Sequence, residues 1–213
     1  MNARSTRRRT AAASIGLSLL AAAGVPTLAA AADPAGDDSI DISVDIEDLT
    51  PAGELSMSVA ANDGVALVEE GSDDTARQFV GTTPTVTVTD TRSPEEVPDG
   101  SYWAVVGQAG DFVEGSDATQ TFGPEHLGWE PRLLTPSSTG LVAEGEPVSS
   151  VVDDGTGAAA VGLEGQELLV STFSAAEEIG TWDVEAGLTL RTPADIPAGS
   201  YTSTLTLTLF EQS

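Results

Sequence analysis

The stretch TWDVEAGLTLR, residues 181–191, constrains the fold more than any other part of the chain. Trp182, Val184, Ala186, Leu188 and Leu190 alternate there with Asp183, Glu185, Gly187, Thr189 and Arg191. A period of two sends the two sets to opposite faces of a β-strand, one for a core and one for water. The same period recurs three times. SIDISVDIEDL sets Ile40, Ile42, Val44 and Ile46 in phase, ELSMSVA does so with Leu55, Met57 and Val59, and in the final AGSYTSTLTLTLFEQS Tyr201, Leu205, Leu207 and Leu209 share a face. Shorter strands are predicted at 65–68, 85–89, 101–106, 141–143, 148–152 and 168–173, at the close spacing of a sandwich. Pro51 and Gly53 predict a hairpin between the first two long runs, and TPADIPAGS predicts another between the last two. Helical periodicity is nearly absent beyond residue 32, with one turn expected in SAAEEIG. The pattern predicts an all-β, immunoglobulin-like β-sandwich forming one domain over residues 39–213.

Residues 1–32 read as a secretory signal peptide: an Arg-rich start, an apolar stretch from Ala11 to Ala23, Pro26, and small residues before Asp33. The apolar stretch is shorter than the roughly 20 residues a bilayer span needs, so cleavage is expected rather than anchoring. Arg7, Arg8 and Arg9 would also suit a twin-arginine route, although the general pathway fits better. Residues 33–38 form a short polar leader. No later stretch is apolar enough to span a membrane and no LPxTG-like sorting motif follows, so the expected product is exported and either free or held by noncovalent contacts.

Charge narrows the partners. The chain has 34 Asp and Glu against 8 basic residues, all of them Arg. Four of those Arg residues leave with the signal, so the mature net charge is about −30, which excludes nucleic acid as a natural partner and opposes anionic lipid and anionic polymers. There is no Cys, so stability must come from burial alone. Salt adaptation is an alternative source of the acidity.

Catalytic chemistry is thinly supplied. His126, in FGPEHLGW, is the single imidazole, and without Cys or Lys no other side chain can activate a serine. One His lacks the partners of a zinc site. A carboxylate pair of the glycosidase kind has many candidates and no distinguishing one. VVDDGTG and EEGSDD offer hard oxygens for calcium but read as solvated loops. The chain is expected to be non-enzymatic and to need no cofactor or metal.

The rare aromatics stand in a suggestive order. VTVTDTR (86–92) leads to SYWAVVGQAGDF (101–112), then LGWEPRLL, then TWDVEAGLTLRTPADIPAGSYTSTLTLTLFE. This order resembles the WxL-type surface domains of Gram-positive bacteria, in the divergent form of actinobacterial secreted proteins, over roughly residues 79–210. The family's two W-x-L motifs fall on Trp103-Ala104-Val105 and Trp182-Asp183-Val184, each reading W-x-V, while Trp129-Glu130-Pro131 fits less well. The resemblance implies noncovalent attachment to peptidoglycan or another wall polymer, beside other surface proteins, with Trp103, Val105, Trp182 and Val184 at the contact. The alternative is a secreted adhesin or surface-assembly subunit that binds another protein through an exposed strand edge. A carbohydrate-active enzyme using paired carboxylates is a more remote one.

Overall fold

The computed structural model describes residues 44–45, 51–61, 63–152 and 160–213. The signal, the leader and most of the first alternating run lie outside them; of that run Val44 and Asp45 are described, and both are exposed. One compact unit spans Leu49–Ser213.

That unit is an all-β sandwich. Its strands are β1 (Leu55–Val59), β2 (Val68–Glu69), β3 (Ala76–Thr82), β4 (Val86–Asp90), β5 (Tyr102–Ala109), β6 (Phe112–Glu114), β7 (Thr121–Phe122), β8 (Leu127–Leu133), β9 (Val142–Glu144), β10 (Glu167–Thr172), β11 (Gly180–Pro193), β12 (Tyr201–Thr202) and β13 (Leu205–Gln212). One sheet is organised by β11, whose 14 residues are the long alternating run. Its first half pairs with β4 and its second half with β3, while β8 lies along the opposite edge from Val184 to Leu190. β1 adds outside β4 and β2 outside β3. The second sheet runs β13-β5-β10-β9, and a small third sheet runs β12-β6-β7. Every pairing between these strands is antiparallel.

Alternation explains which residues the two layers share. From β11, Trp182, Val184, Ala186, Leu188 and Leu190 are buried; from β5, Trp103, Val105 and Ala109 are buried while Tyr102 and Gln108 are exposed. These meet Val86, Val88, Leu127, Trp129 and Val170 in one cluster. Gly107 on β5 is required by close approach, because a Cβ there would lie 2.5 Å from the outer ring of Trp129. Gly162 is required twice over: its φ is +60°, and a Cβ would fall 2.3 Å from the Glu125 carbonyl oxygen.

Three expectations need correction. The C-terminal hairpin does not form: β13 pairs with β5 in the other sheet, from Leu205↔Ala109 to Gln212↔Tyr102. Period two puts an apolar face on each strand but does not say which layer it joins, and the loop after Pro193 carries the chain across the sandwich. Residues 148–152 contribute isolated bridges, Trp129↔Val148 and Ser149↔Ala160, rather than a strand. Conversely, β8 is not among the expected strands: Trp129, Pro131 and Leu133 alternate there with Glu130 and Arg132, but Gly128 is buried between Leu127 and Trp129 and Pro131 sits within the run, which blurs the pattern. The single turn expected in SAAEEIG is a 3-10 turn at Ala175–Glu177.

Candidate functional site

Trp103, Val105, Trp182 and Val184 come together, but inside the sandwich. Their exposures are 0%, 0%, 5% and 0%. The Trp103 and Trp182 rings lie 5.6 Å apart at a tilt of 45°, one from each layer. The alternation that pairs Trp with the second residue after it aims both at the core, so these side chains pack the two layers against each other rather than lying on the surface. Trp129 is buried too, at 2%. The indole Nε1 atoms of Trp103 and Trp129 have no hydrogen-bond partner, in keeping with rings chosen for apolar bulk.

The opposite face of the same sheet carries what the tryptophans do not. Tyr102, beside Trp103 on β5, points outward, as do Phe210 on β13 and Phe173 at the end of β10; they are 43%, 38% and 74% exposed. Phe210 sits opposite Ala104 in the register, and the Tyr102 hydroxyl donates to Gln212 Oε1. Tyr102, Ala104, Leu168, Ser171, Thr172 and Phe173 line a shallow cleft of about 390 Å³. Tyr102, Phe173 and Phe210 lie in three separate stretches of the sequence, and only the pairing of β5 with β10 and β13 brings them to one face.

A larger opening lies between the layers. It has a volume of about 1030 Å³, with Met57, Val65 and Leu67 on one side, Leu188 in the floor, and Leu205 and Leu207 of β13 opposite. Phe112, Phe122 and Tyr201 close one end, Phe122 stacking on Phe112 at 4.8 Å and meeting Tyr201 at 5.1 Å.

Asp90 and Arg92, from VTVTDTR, form a clamp across the sandwich. Asp90 is 2% exposed, and its Oδ1 accepts from the Arg92 backbone N–H and Nε while Oδ2 accepts from Nη2 at 2.7 Å. Arg92 Nη1 reaches Glu211 Oε1 of β13 at 2.7 Å, so one guanidinium ties β4 in one layer to β13 in the other. The Asp90 hydrogen bonds, reinforced by Glu211, raise the Arg92 pKa further and keep the guanidinium charged.

His126, Glu69 and Asp73 are committed to local structure. His126 Nδ1 lies 3.0 Å from the Arg191 carbonyl oxygen, and its ring packs edge-on to Phe122. In EEGSDD, Glu69 accepts from Arg77 and Ser72, while Asp73 accepts from Thr75 and Ala76. The bonds from Arg77 and then Ser72 lower Glu69 from 4.5 to about 2, and the bonds from Thr75 and Ala76 lower Asp73 from 3.8 to about 2. Among the described residues no group of three or more His, Asp or Glu is placed to hold a metal ion, and no helix is long and apolar enough to cross a membrane. Most of VVDDGTG lies outside the described residues.

The depressed Asp73 carboxyl carries a pH prediction. A folded pKa below the unfolded one contributes stability above the unfolded value and loses it as pH falls through the folded value. The melting temperature of the wild type is therefore expected to exceed that of Asp73→Asn at pH 6, and the gap to close between pH 3.8 and about 2. Thermal melts of both proteins across that range check it; a gap that persists at pH 2 contradicts the assignment.

Comparison with known proteins adds little. No family model matches the chain, and no curated protein matches it. It is similar to a solved structure described as "Chaperone-tip adhesin complex is vital for synergistic activation of CFA/I fimbriae biogenesis", with 11% identity and a TM-score of 0.40. The match covers 75% of this chain and 43% of that one, so the chain spans less than half the length of the structure it resembles.

Proposed function

We propose that this is an exported, non-enzymatic surface protein that attaches noncovalently to a cell-wall polymer, peptidoglycan being the expected one. The observation that carries the proposal is the outward aromatic face of Tyr102, Phe173 and Phe210, beside a cleft of about 390 Å³. With a formal net charge of −26 the protein cannot hold an anionic polymer by salt bridges, so contact falls to ring stacking and hydrogen bonding. Aromatic rings on the outer face of a sheet suit the apolar faces of sugar rings, and Ser171 is the partly exposed polar residue of the cleft beside them. The resemblance to WxL-type domains points to the same class of ligand. The contact residues differ from the motif residues: Trp103 packs on the inner face of the sheet that displays them, and Trp182 meets it from the opposite layer.

Co-sedimentation with purified peptidoglycan tests the reading. Wild type is expected to pellet with the polymer, and Phe173→Ala combined with Phe210→Ala to lose most of that binding. Both side chains are exposed, so the melting temperature should stay close to that of wild type, within the small effect typical of surface substitutions. A wild-type protein that stays in the supernatant at physiological salt overturns the proposal.

A further inference from the structure

We propose that the opening between the layers is a docking site for an extended segment of another protein, one whose apolar side chains alternate with basic or neutral ones. The site is distinct from the outward aromatic face and goes beyond wall attachment.

Backbone supply is the first reason. β13 pairs with β5 along one edge, and no described strand pairs with its other edge; β1 likewise ends its sheet. An unpaired edge presents a row of N–H and C=O groups to which a further strand adds. Side-chain demand is the second. Leu205, Leu207 and Leu209 of β13 face the core yet are only half-buried, and Met57 and Leu67 across the opening are half-buried as well. A strand laid along β13 would drop every second side chain between these two rows, while the intervening ones faced solvent. The volume, about 1030 Å³, is at the upper end of the roughly 300–1,000 Å³ of small-molecule pockets and has room for several such side chains.

Charge selects the occupant. Each described Arg already meets a carboxylate: Arg77 with Glu69, Arg92 with Asp90 and Glu211, Arg132 with Glu185, and Arg191 with Asp73. The acid excess is therefore uncompensated over the molecule, and of the two charged residues lining the opening, Asp63 and Arg77, the Arg is already paired with Glu69. An incoming strand with Lys or Arg on its outward positions is drawn in, whereas a second copy, with the same net charge of −26, is repelled.

Nine-residue peptides alternating Val with Lys, Ser or Glu test this on the full chain. The Val-Lys peptide is expected to bind, to weaken as salt rises, and to protect amides of Leu205–Gln212 from hydrogen exchange; the Val-Glu peptide should bind about tenfold or more weakly. Leu207→Asp should abolish binding, and Phe173→Ala should leave it unchanged. Loss, in Leu207→Asp before any peptide is added, of the protection that pairing with β5 gives alternate amides of β13 would show a competing fold change, in which case Leu205→Asp and Met57→Asp serve in its place. Equal binding of the Lys and Glu peptides overturns the charge selection. Occupation by residues 38–48 of the same chain, by a second copy, or by a fatty acid without peptide binding overturns the proposal. Wall binding is read separately by co-sedimentation, so either idea can fail alone.

Discussion

Trp103→Ala is expected to be the most damaging single substitution in the molecule. The side chain is 0% exposed and sits against Trp182 of the opposite layer. Truncating a buried Trp removes its transfer free energy and leaves a cavity that a sheet lattice cannot close, at a cost of about 3–5 kcal/mol. Against a total stability of about 5–15 kcal/mol, that is a large fraction. For a domain of this size it corresponds to a fall in melting temperature of roughly 6–20 °C. Trp103→Phe should cost much less: it keeps most of the apolar contact and removes an indole N–H that has no partner. Chemical denaturation of both variants checks the pair. If Trp103→Ala melts with wild type while losing wall binding, the ring is a ligand contact after all and the packing argument fails.

Asp90→Ala comes second. Asp90 is 2% exposed and supplies both oxygens of a bidentate bond to Arg92, itself 9% exposed. Removing one partner of a buried pair strands the other, which costs about 3–5 kcal/mol, far more than the net worth of the pair. Glu211 stays as a second acceptor for Arg92 and is expected to bring the loss toward the lower end of that range. The double variant Asp90→Leu with Arg92→Met should recover much of the loss, because no buried charge is then left unpaired. Equilibrium unfolding of Asp90→Leu, Arg92→Met and the double forms the cycle. Additive losses would mean that Asp90 and Arg92 act independently, contrary to their geometry.

The two predictions concern residues that the sequence marks unequally. Trp103 and Trp182 were legible as important because Trp is scarce and each lies in an alternating run, but the period assigned them to a face without saying which face is the inside. Asp90 and Arg92 were visible only as part of a motif; nothing in VTVTDTR shows that Arg92 reaches Glu211, some 120 positions later. The outward aromatics were equally hidden. Tyr102 and Phe210 lie in different strands, and only the pairing of β13 with β5 brings them to one surface.

What the sequence determined by itself was the strand class, the absence of helical layers in the described residues, the acidic surface and the lack of disulfides. These follow from local properties: a period of two, composition, and which residue types are present. What only the tertiary structure decided was the partner of each strand and the sheet to which it belongs. β11 and β13 carry the same alternation and are separated in the chain only by the two-residue β12 and its loops, yet they join different layers. The physical reason is that a strand's periodicity specifies a buried face, whereas its edges carry the same backbone donors and acceptors whatever the sequence, so the choice of partner falls to packing across the whole core.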